Sequence, residues 1–189
     1  YATGDTPSFP GITLIGHLGG EPKALAIQGN YAFLSTPDEL SILDISDPAN
    51  PHRLSYLMFS YPLFSIERPI PDGNYVYVLS QLQGLQVVDI SEPQNPKKVA
   101  SCSECRGTGA FLIAGDYAYI TSSQSPSLRV VDISDPLLPL WIGSTEIHDG
   151  ASRALTISGD YLYSAYLDRY DNAGINIVSV ENPSSPQLM

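Results

Sequence analysis

Apolar positions in this chain fall in short runs, broken at regular intervals by glycine, asparagine, aspartate and proline. Residues 24–27 (Ala-Leu-Ala-Ile) and 154–157 (Ala-Leu-Thr-Ile) are short, largely apolar stretches, the pattern of a buried inner strand. Each is followed by Gly-Asn or Gly-Asp, a pair that tolerates positive φ and makes a two-residue hairpin turn. A segment of the form Tyr-x-Tyr or Tyr-x-Phe comes next and alternates as a half-buried strand does. A variable loop leads to a third apolar run, as at 40–45 and 85–90. An Asp-Pro-x-x-Pro turn then ends that run, because proline cannot supply ladder hydrogen bonds. A fourth strand, as at 53–58 and 98–102, completes the unit.

The unit occurs four times. Its hairpin reads Gly29-Asn30-Tyr31-Ala32-Phe33, Gly73-Asn74-Tyr75-Val76-Tyr77, Gly115-Asp116-Tyr117-Ala118-Tyr119 and Gly159-Asp160-Tyr161-Leu162-Tyr163. From Tyr31 to Tyr75, Tyr117 and Tyr161 the phase advances by 44, 42 and 44 residues. The turn follows in register as Leu43-Asp44-Ile45-Ser46-Asp47-Pro48, Val88-Asp89-Ile90-Ser91-Glu92-Pro93 and Val131-Asp132-Ile133-Ser134-Asp135-Pro136. The fourth copy has drifted to Val178-Ser179-Val180-Glu181-Asn182-Pro183, and Pro51, Pro96, Pro139 and Pro186 close the copies. Four strands in about 40–45 residues is the signature of a blade. The expected fold is all-β: a β-propeller of four-stranded antiparallel blades, as one domain over 1–189. Its units run approximately 22–60, 61–106, 107–150 and 151–189, and residues 6–19 carry a separate fourth strand.

These units resemble the LVIVD-type β-propeller repeat of bacterial and archaeal surface and secreted proteins. The resemblance rests on residues 115–119, on Leu85-Gln86-Val87-Val88-Asp89-Ile90-Ser91 and on the Asp-Pro-x-x-Pro turns, and it spans residues 7–186. It implies a surface module, since members of that family mostly carry no assigned activity.

Thr6-Pro7-Ser8-Phe9-Pro10 looks like the proline turn, and 12–17 like a fourth strand with no unit ahead of it. The last copy, conversely, stops just after Pro186, where its own fourth strand should begin. One account closes four blades, with 12–17 beside 175–180 in a blade built from both ends. A second makes the chain a window of a longer propeller, and a third pairs two half-rings.

Composition narrows the function classes. Charged residues are only 15% of the chain, against about 25% in an average soluble protein, so Ser, Thr, Asn, Gln and 12 tyrosines must supply much of the surface. With 9 basic against 20 acidic residues there is no basic stripe for a phosphate backbone, and nucleic acid is an improbable partner. Anionic membrane surfaces are disfavoured likewise, and no apolar run is long enough for a transmembrane helix. A start at Tyr1 without Met suggests a mature secreted protein or a trimmed chain.

The repeat phase sorts loops onto two faces. Hairpins and proline turns share one, whereas second-to-third strand loops and the links between blades share the other, where binding function accumulates. Cys102 and Cys105 sit in the second link. A local disulfide in an oxidising compartment is the favoured reading. Two free thiols or half a zinc site completed by His17 and His148 are the alternatives. Haem attachment needs histidine where Arg106 stands. His52 reads as solvated, and His148-Asp149 as polar link residues rather than an acid–base couple. Gly19-Gly20 is a turn, not a phosphate cradle.

The longest variable loop, in the fourth unit, holds Tyr166, Asp168, Arg169, Tyr170 and Asp171, which are the candidate binding residues. Tyrosine buries large area at low entropic cost, and arginine anchors polar groups. Calcium held by Asp168, Asp171 and Asn172 is an alternative, although the spacing matches no EF-hand. No catalytic residue, cofactor or metal is assigned. The expectation is a non-enzymatic extracellular or cell-surface binding or scaffolding module, with a protein or glycan partner at the variable loop face and no membrane insertion. The rivals are a propeller lyase or hydrolase using Glu21, Asp149 and Arg153 with His17 or His148, and a structural subunit of a larger or self-associating surface assembly.

Overall fold

The computed structural model of the chain describes residues 23–59, 68–148, 152, 154–167 and 172–189. Those residues form four four-stranded antiparallel sheets and no helix. The first blade comprises β1 (Ala24–Gln28), β2 (Tyr31–Ser35), β3 (Glu39–Asp44) and β4 (His52–Met58). The second comprises β5 (Ile70–Asp72), β6 (Tyr75–Ser80), β7 (Gly84–Asp89) and β8 (Lys97–Cys102). β9 (Phe111–Ala114), β10 (Tyr117–Thr121), β11 (Leu128–Asp132) and β12 (Leu140–Thr145) make the third. β13 (Ala154–Ser158), β14 (Tyr161–Leu167), β15 (Ala173–Ser179) and β16 (Gln187–Leu188) make the fourth. Strands are ordered 1-2-3-4 within each blade, and Tyr31, Tyr75, Tyr117 and Tyr161 each open the second strand as the phase predicts.

Local chemistry explains the regularity. Gly29, Gly73, Gly115 and Gly159 have φ of 58°, 56°, 56° and 56°, and nothing lies within 4 Å of where a Cβ would stand. Positive φ alone therefore selects glycine there. The residue after each third strand donates its N–H to the hairpin carbonyl of the same blade. Ile45 bonds Asn30, Ile90 bonds Asn74, Ile133 bonds Asp116 and Val180 bonds Asp160, at 2.8–2.9 Å. Hairpin and proline turn are thereby locked together at one end of every blade. Each turn closes on itself, Asn50 N–H to Asp47 O at 3.0 Å and likewise Asn95 to Glu92, Leu138 to Asp135 and Ser185 to Asn182. Asp44, Asp89 and Asp132 accept from the backbone N–H two residues on, at 2.8–2.9 Å. Ser179 replaces that aspartate in the fourth blade, while Asn182 Oδ1 accepts from Ser184 N–H as Asp47 does from Ala49 and Asp135 from Leu137.

The core lies between blades, not within them. Phe33, Leu40 and Ile42 of the first blade meet Val76, Val78, Val88 and Ile90 of the second. Tyr77, Leu79, Leu85 and Val87 meet Ala118, Ile120, Val131 and Ile133 of the third. Tyr119, Leu128 and Val130 meet Leu162, Val178 and Val180 of the fourth. This arrangement corrects two expectations about burial. The first strands, expected to be buried, are half-exposed, with Leu25 and Ile27 open to solvent. The Tyr-x-Tyr strands, expected to be half-buried, are buried on both faces in β6 and β10. The physical reason is stacking: β6 and β10 have a neighbouring sheet on each side, whereas β9 and β13 turn their apolar side chains into the cluster with the preceding blade and are covered there only in part.

Neighbouring blades also touch through their turns. Ser55 Oγ of β4 donates to the Pro93 carbonyl at 2.5 Å. At Gly143 of β12 a Cβ would stand 2.9–3.0 Å from the Ser184 backbone. Outer strands therefore need a small residue beneath the next blade's proline turn. The pairing of 12–17 with 175–180 lies outside the described residues. The structure places β16 in the fourth-strand position, opposite Val178 and Ser179.

Candidate functional site

The links and second-to-third strand loops gather at the end opposite the proline turns. Thr108 of the second link bonds Ser123 of the third-blade loop, hydroxyl to hydroxyl at 3.0 Å, and accepts from the Ser123 N–H at 2.9 Å. Ala110 N–H donates to the Ser152 carbonyl at 3.0 Å, joining two successive links.

One repeat position organises this face. Ser41, Gln86, Arg129 and Asn176 occupy the same register in the third strands, and all four are buried. Each of the four makes at least one hydrogen bond, although Gln86 Oε1 and Arg129 Nε are buried without one. Asn176 grips the third link from both sides, its Oδ1 accepting from His148 N–H at 3.0 Å and its Nδ2 donating to His148 O at 2.9 Å. Arg129 donates to the Arg106 carbonyl of the second link at 2.6 Å, with its guanidinium 5.4 Å from the Trp141 ring. Burial pulls that guanidinium below its usual pKa, and the Glu146 carboxylate opposes the shift. Gln86 donates to Gln83 O at 2.6 Å within its own loop, and Ser41 bonds Glu39. The sequence carries this signal, as a lone polar residue inside the apolar run of each third strand.

Glu146 gathers a second cluster. It accepts from Ser125 Oγ, and from Ser127 Oγ at 2.9 Å. The Ser125 hydrogen bond leads in holding its carboxyl below the usual range, with Ser127 next. Ser164 donates to Ser152 Oγ at 2.7 Å, and Ser152 Oγ lies 3.0 Å from the carbonyls of Ala154 and Ala165. Ser164 is thus engaged by Ser152, and Ser152 by Ser164 and by backbone carbonyls.

Tyr166, at the end of β14, is the candidate binding residue that the structure describes best. Its ring stacks on His148, centroids 5.9 Å apart and planes 24° apart. It also lies over Gly174, where an added Cβ would stand 2.5–2.7 Å from the phenol atoms. Asn176 fixes His148, Gly174 leaves room, and Tyr166 occupies the space between. Asp168, Arg169, Tyr170 and Asp171 lie outside the described residues, as do His17, Glu21, Asp149 and Arg153. His52 is exposed at the start of β4, on the turn face.

Cys102 and Cys105 form a disulfide, with Cα atoms 5.3 Å apart. Cys105 is fully buried against Leu79, Leu85 and Ile120, so the bridge pins the second link into the core between blades two and three. Gly84, at φ 73°, packs directly beneath, where the Cys102 carbonyl takes the space of a Cβ. Zinc takes thiolates as ligands, which bridged sulfurs are not, and His17, invoked for a zinc site, lies outside the described residues. Among the described residues no group of three or more His, Cys, Asp or Glu is placed to hold a metal ion.

Known proteins set this geometry in context. No curated protein matches the chain. Among solved structures it is similar to the computationally designed Ika4 protein, at 14% identity and TM-score 0.65, covering 87% of this chain and 97% of that one. A functionally unknown protein from Desulfotomaculum acetoxidans matches at 16% identity and TM-score 0.70, covering 91% of this chain and 56% of that one. A proposed 6-phosphogluconolactonase from Bacteroides uniformis matches at 16% identity and TM-score 0.68, covering 89% and 52%. The chain thus spans nearly all of the designed protein and about half the length of the two natural ones. At these identities the likeness concerns fold alone. The LVIVD repeat pattern matches at 19–61, 72–104, 109–146 and 149–189, so this four-bladed chain belongs to the LVIVD repeat family.

Proposed function

We propose that this chain is a non-enzymatic extracellular or cell-surface binding or scaffolding module that presents its link face to a protein or glycan partner. The observation that carries the proposal is the Tyr166–His148 stack, an aromatic pair held at the loop end by a buried asparagine clamp. Pre-positioned aromatic groups lose little entropy on binding, and tyrosine is enriched where proteins make their strongest contacts. The disulfide favours an oxidising compartment. No helix among the described residues is long and apolar enough to cross a membrane.

The test combines a glycan array with capture from the secreted and cell-surface fractions. Tyr166→Ala with Tyr170→Ala is expected to abolish binding while the melting transition persists. Asp47→Ala with Asn50→Ala, on the opposite face, is expected to leave binding intact. Equal binding by both variants would remove the link face from consideration. Lactone or ester turnover that is lost on His148→Ala would replace this reading with that of a propeller enzyme.

A further inference from the structure

We infer that the groove between the first and second blades, at the proline-turn end, is a binding site for an uncharged sugar residue, separate from the link face. A hollow of about 370 Å³ opens there, within the range of about 300–1,000 Å³ in which small-molecule sites fall. Tyr31, Asp44 and Leu54 of the first blade line one side, and the turn Glu92-Pro93-Gln94-Asn95 of the second lines the other.

Both walls are fixed by contacts of their own. Tyr31 packs against the core cluster that joins the two blades, and the Asn30 carbonyl beside it accepts from Ile45 N–H at 2.9 Å. Asp44 Oδ1 accepts from Ser46 N–H at 2.8 Å. The opposite turn is closed by Asn95 N–H on Glu92 O at 2.8 Å, and Ser55 Oγ of the first blade donates to Pro93 O. A ligand that enters such a gap loses little to reorganisation of its walls.

The lining selects the class of ligand. Tyr31 and Leu54 offer apolar surface, and around them stand two carboxylates and two side-chain amides, which together accept and donate hydrogen bonds. A pyranose has the complementary form, with a face of C–H groups and a rim of hydroxyls that do both. None of the described lining residues is basic. The Ser46 side chain leads in holding the Asp44 carboxyl below the usual range, so the hollow repels phosphate and uronate groups. Lys97 lies with Asp89 in a smaller hollow of about 80 Å³, across Glu92 and Asn95. Folding of the turn does not require the two amides. The same closing bond forms where their places are taken by Ala49-Asn50, Leu137-Leu138 and Ser184-Ser185.

The experiment titrates free sugars into the isotope-labelled 189-residue chain and follows its backbone amide resonances. Glucose, galactose, mannose and N-acetylglucosamine are the neutral probes, and glucuronate is the charged one. A single hexose in such a site binds at about 1 mM, too weakly to survive the washing of an array, so the readout is independent of the link-face test. At least one neutral sugar is expected to shift Tyr31 and residues 92–95 with a midpoint of about 1 mM, and glucuronate to bind about tenfold more weakly. Gln94→Leu with Asn95→Leu, which gives this turn the residues of the third blade, is expected to weaken the neutral sugar about tenfold at unchanged melting temperature. Glu92→Gln, which keeps the shape of the side chain, is expected to narrow the gap between glucose and glucuronate. No shift with any neutral sugar, shifts confined to the link face, full affinity in the double-leucine variant or an unchanged gap in Glu92→Gln would each overturn the site. A lysine-rich peptide that saturates the groove where no sugar does would overturn the ligand class. Tyr166 and Tyr170 are untouched throughout, so neither result decides the other proposal.

Discussion

β11 and β15 carry nearly the same side chains in the same register and live in opposite surroundings. Leu128-Arg129-Val130-Val131 is buried throughout, while in Ile175-Asn176-Ile177-Val178 only the asparagine and valine are covered. Those two face the third blade, and the two isoleucines face away from it. In a stack of sheets, burial of a strand belongs to its neighbours as much as to its own composition. The polar member of each strand behaves alike in both settings, because its partner is the preceding link and the preceding blade is present in each case.

The largest expected contrast comes from truncating the two strands at one register. Leu128→Ala should cost about 2–5 kcal/mol of unfolding free energy, the range for a buried leucine that leaves a cavity. Ile175→Ala should stay within about 0.5 kcal/mol, as surface substitutions do. Denaturant midpoints at unchanged slope check both, and equal costs would show that the fourth blade's front face is covered in solution.

Next in size are the link clamps. Asn176→Ala leaves the His148 N–H and carbonyl without their partner, at a cost of about 1–3 kcal/mol if water does not reach them. Gln86→Ala frees only its own loop and should cost less. Hydrogen exchange is expected to quicken at His148 in the first variant and to remain unchanged there in the second.

The disulfide should contribute less again. A loop closed over so few residues removes about 2 kcal/mol of chain entropy at most. Cys105→Ser is expected to lower the melting temperature more than Cys102→Ser, because only Cys105 lies wholly within the core cluster. Equal shifts would assign the whole effect to the cross-link.

Acid titration separates the blades by the smallest margin. The Ser46 side chain leads in depressing the pKa of Asp44, the Ser91 backbone that of Asp89, and the Ser134 side chain that of Asp132. A depressed folded-state pKa stabilises above the unfolded value, and that contribution is lost as pH falls through the folded value. The melting temperature should therefore hold level above pH about 4 and decline below it. Asp89→Ser, which copies the Ser179 of the fourth blade, should shallow that decline. An unchanged slope would show that the turn carboxylates do not govern it.

The sequence by itself determined the blade. Gly-Asn and Gly-Asp pairs require positive φ, proline turns require a strand to stop, and the returning tyrosines set the phase. All of these are local demands that a chain meets the same way in every copy. The drift of the fourth turn to Ser179 and Asn182 was legible too, and Asn182 keeps the Asx bond that Asp47 and Asp135 make at the same position. Cys102 and Cys105 were legible as a pair because three residues span the distance a bridge needs. Tertiary structure alone decided which strands are buried, that Asn176 and Arg129 hold links, that Tyr166 lies between His148 and Gly174, and that Ile175 and Leu25 are exposed. Those properties depend on the sheet packed against each residue. Repeats alike in their local chemistry differ there, because among the described residues the second and third blades pack against a blade on each side.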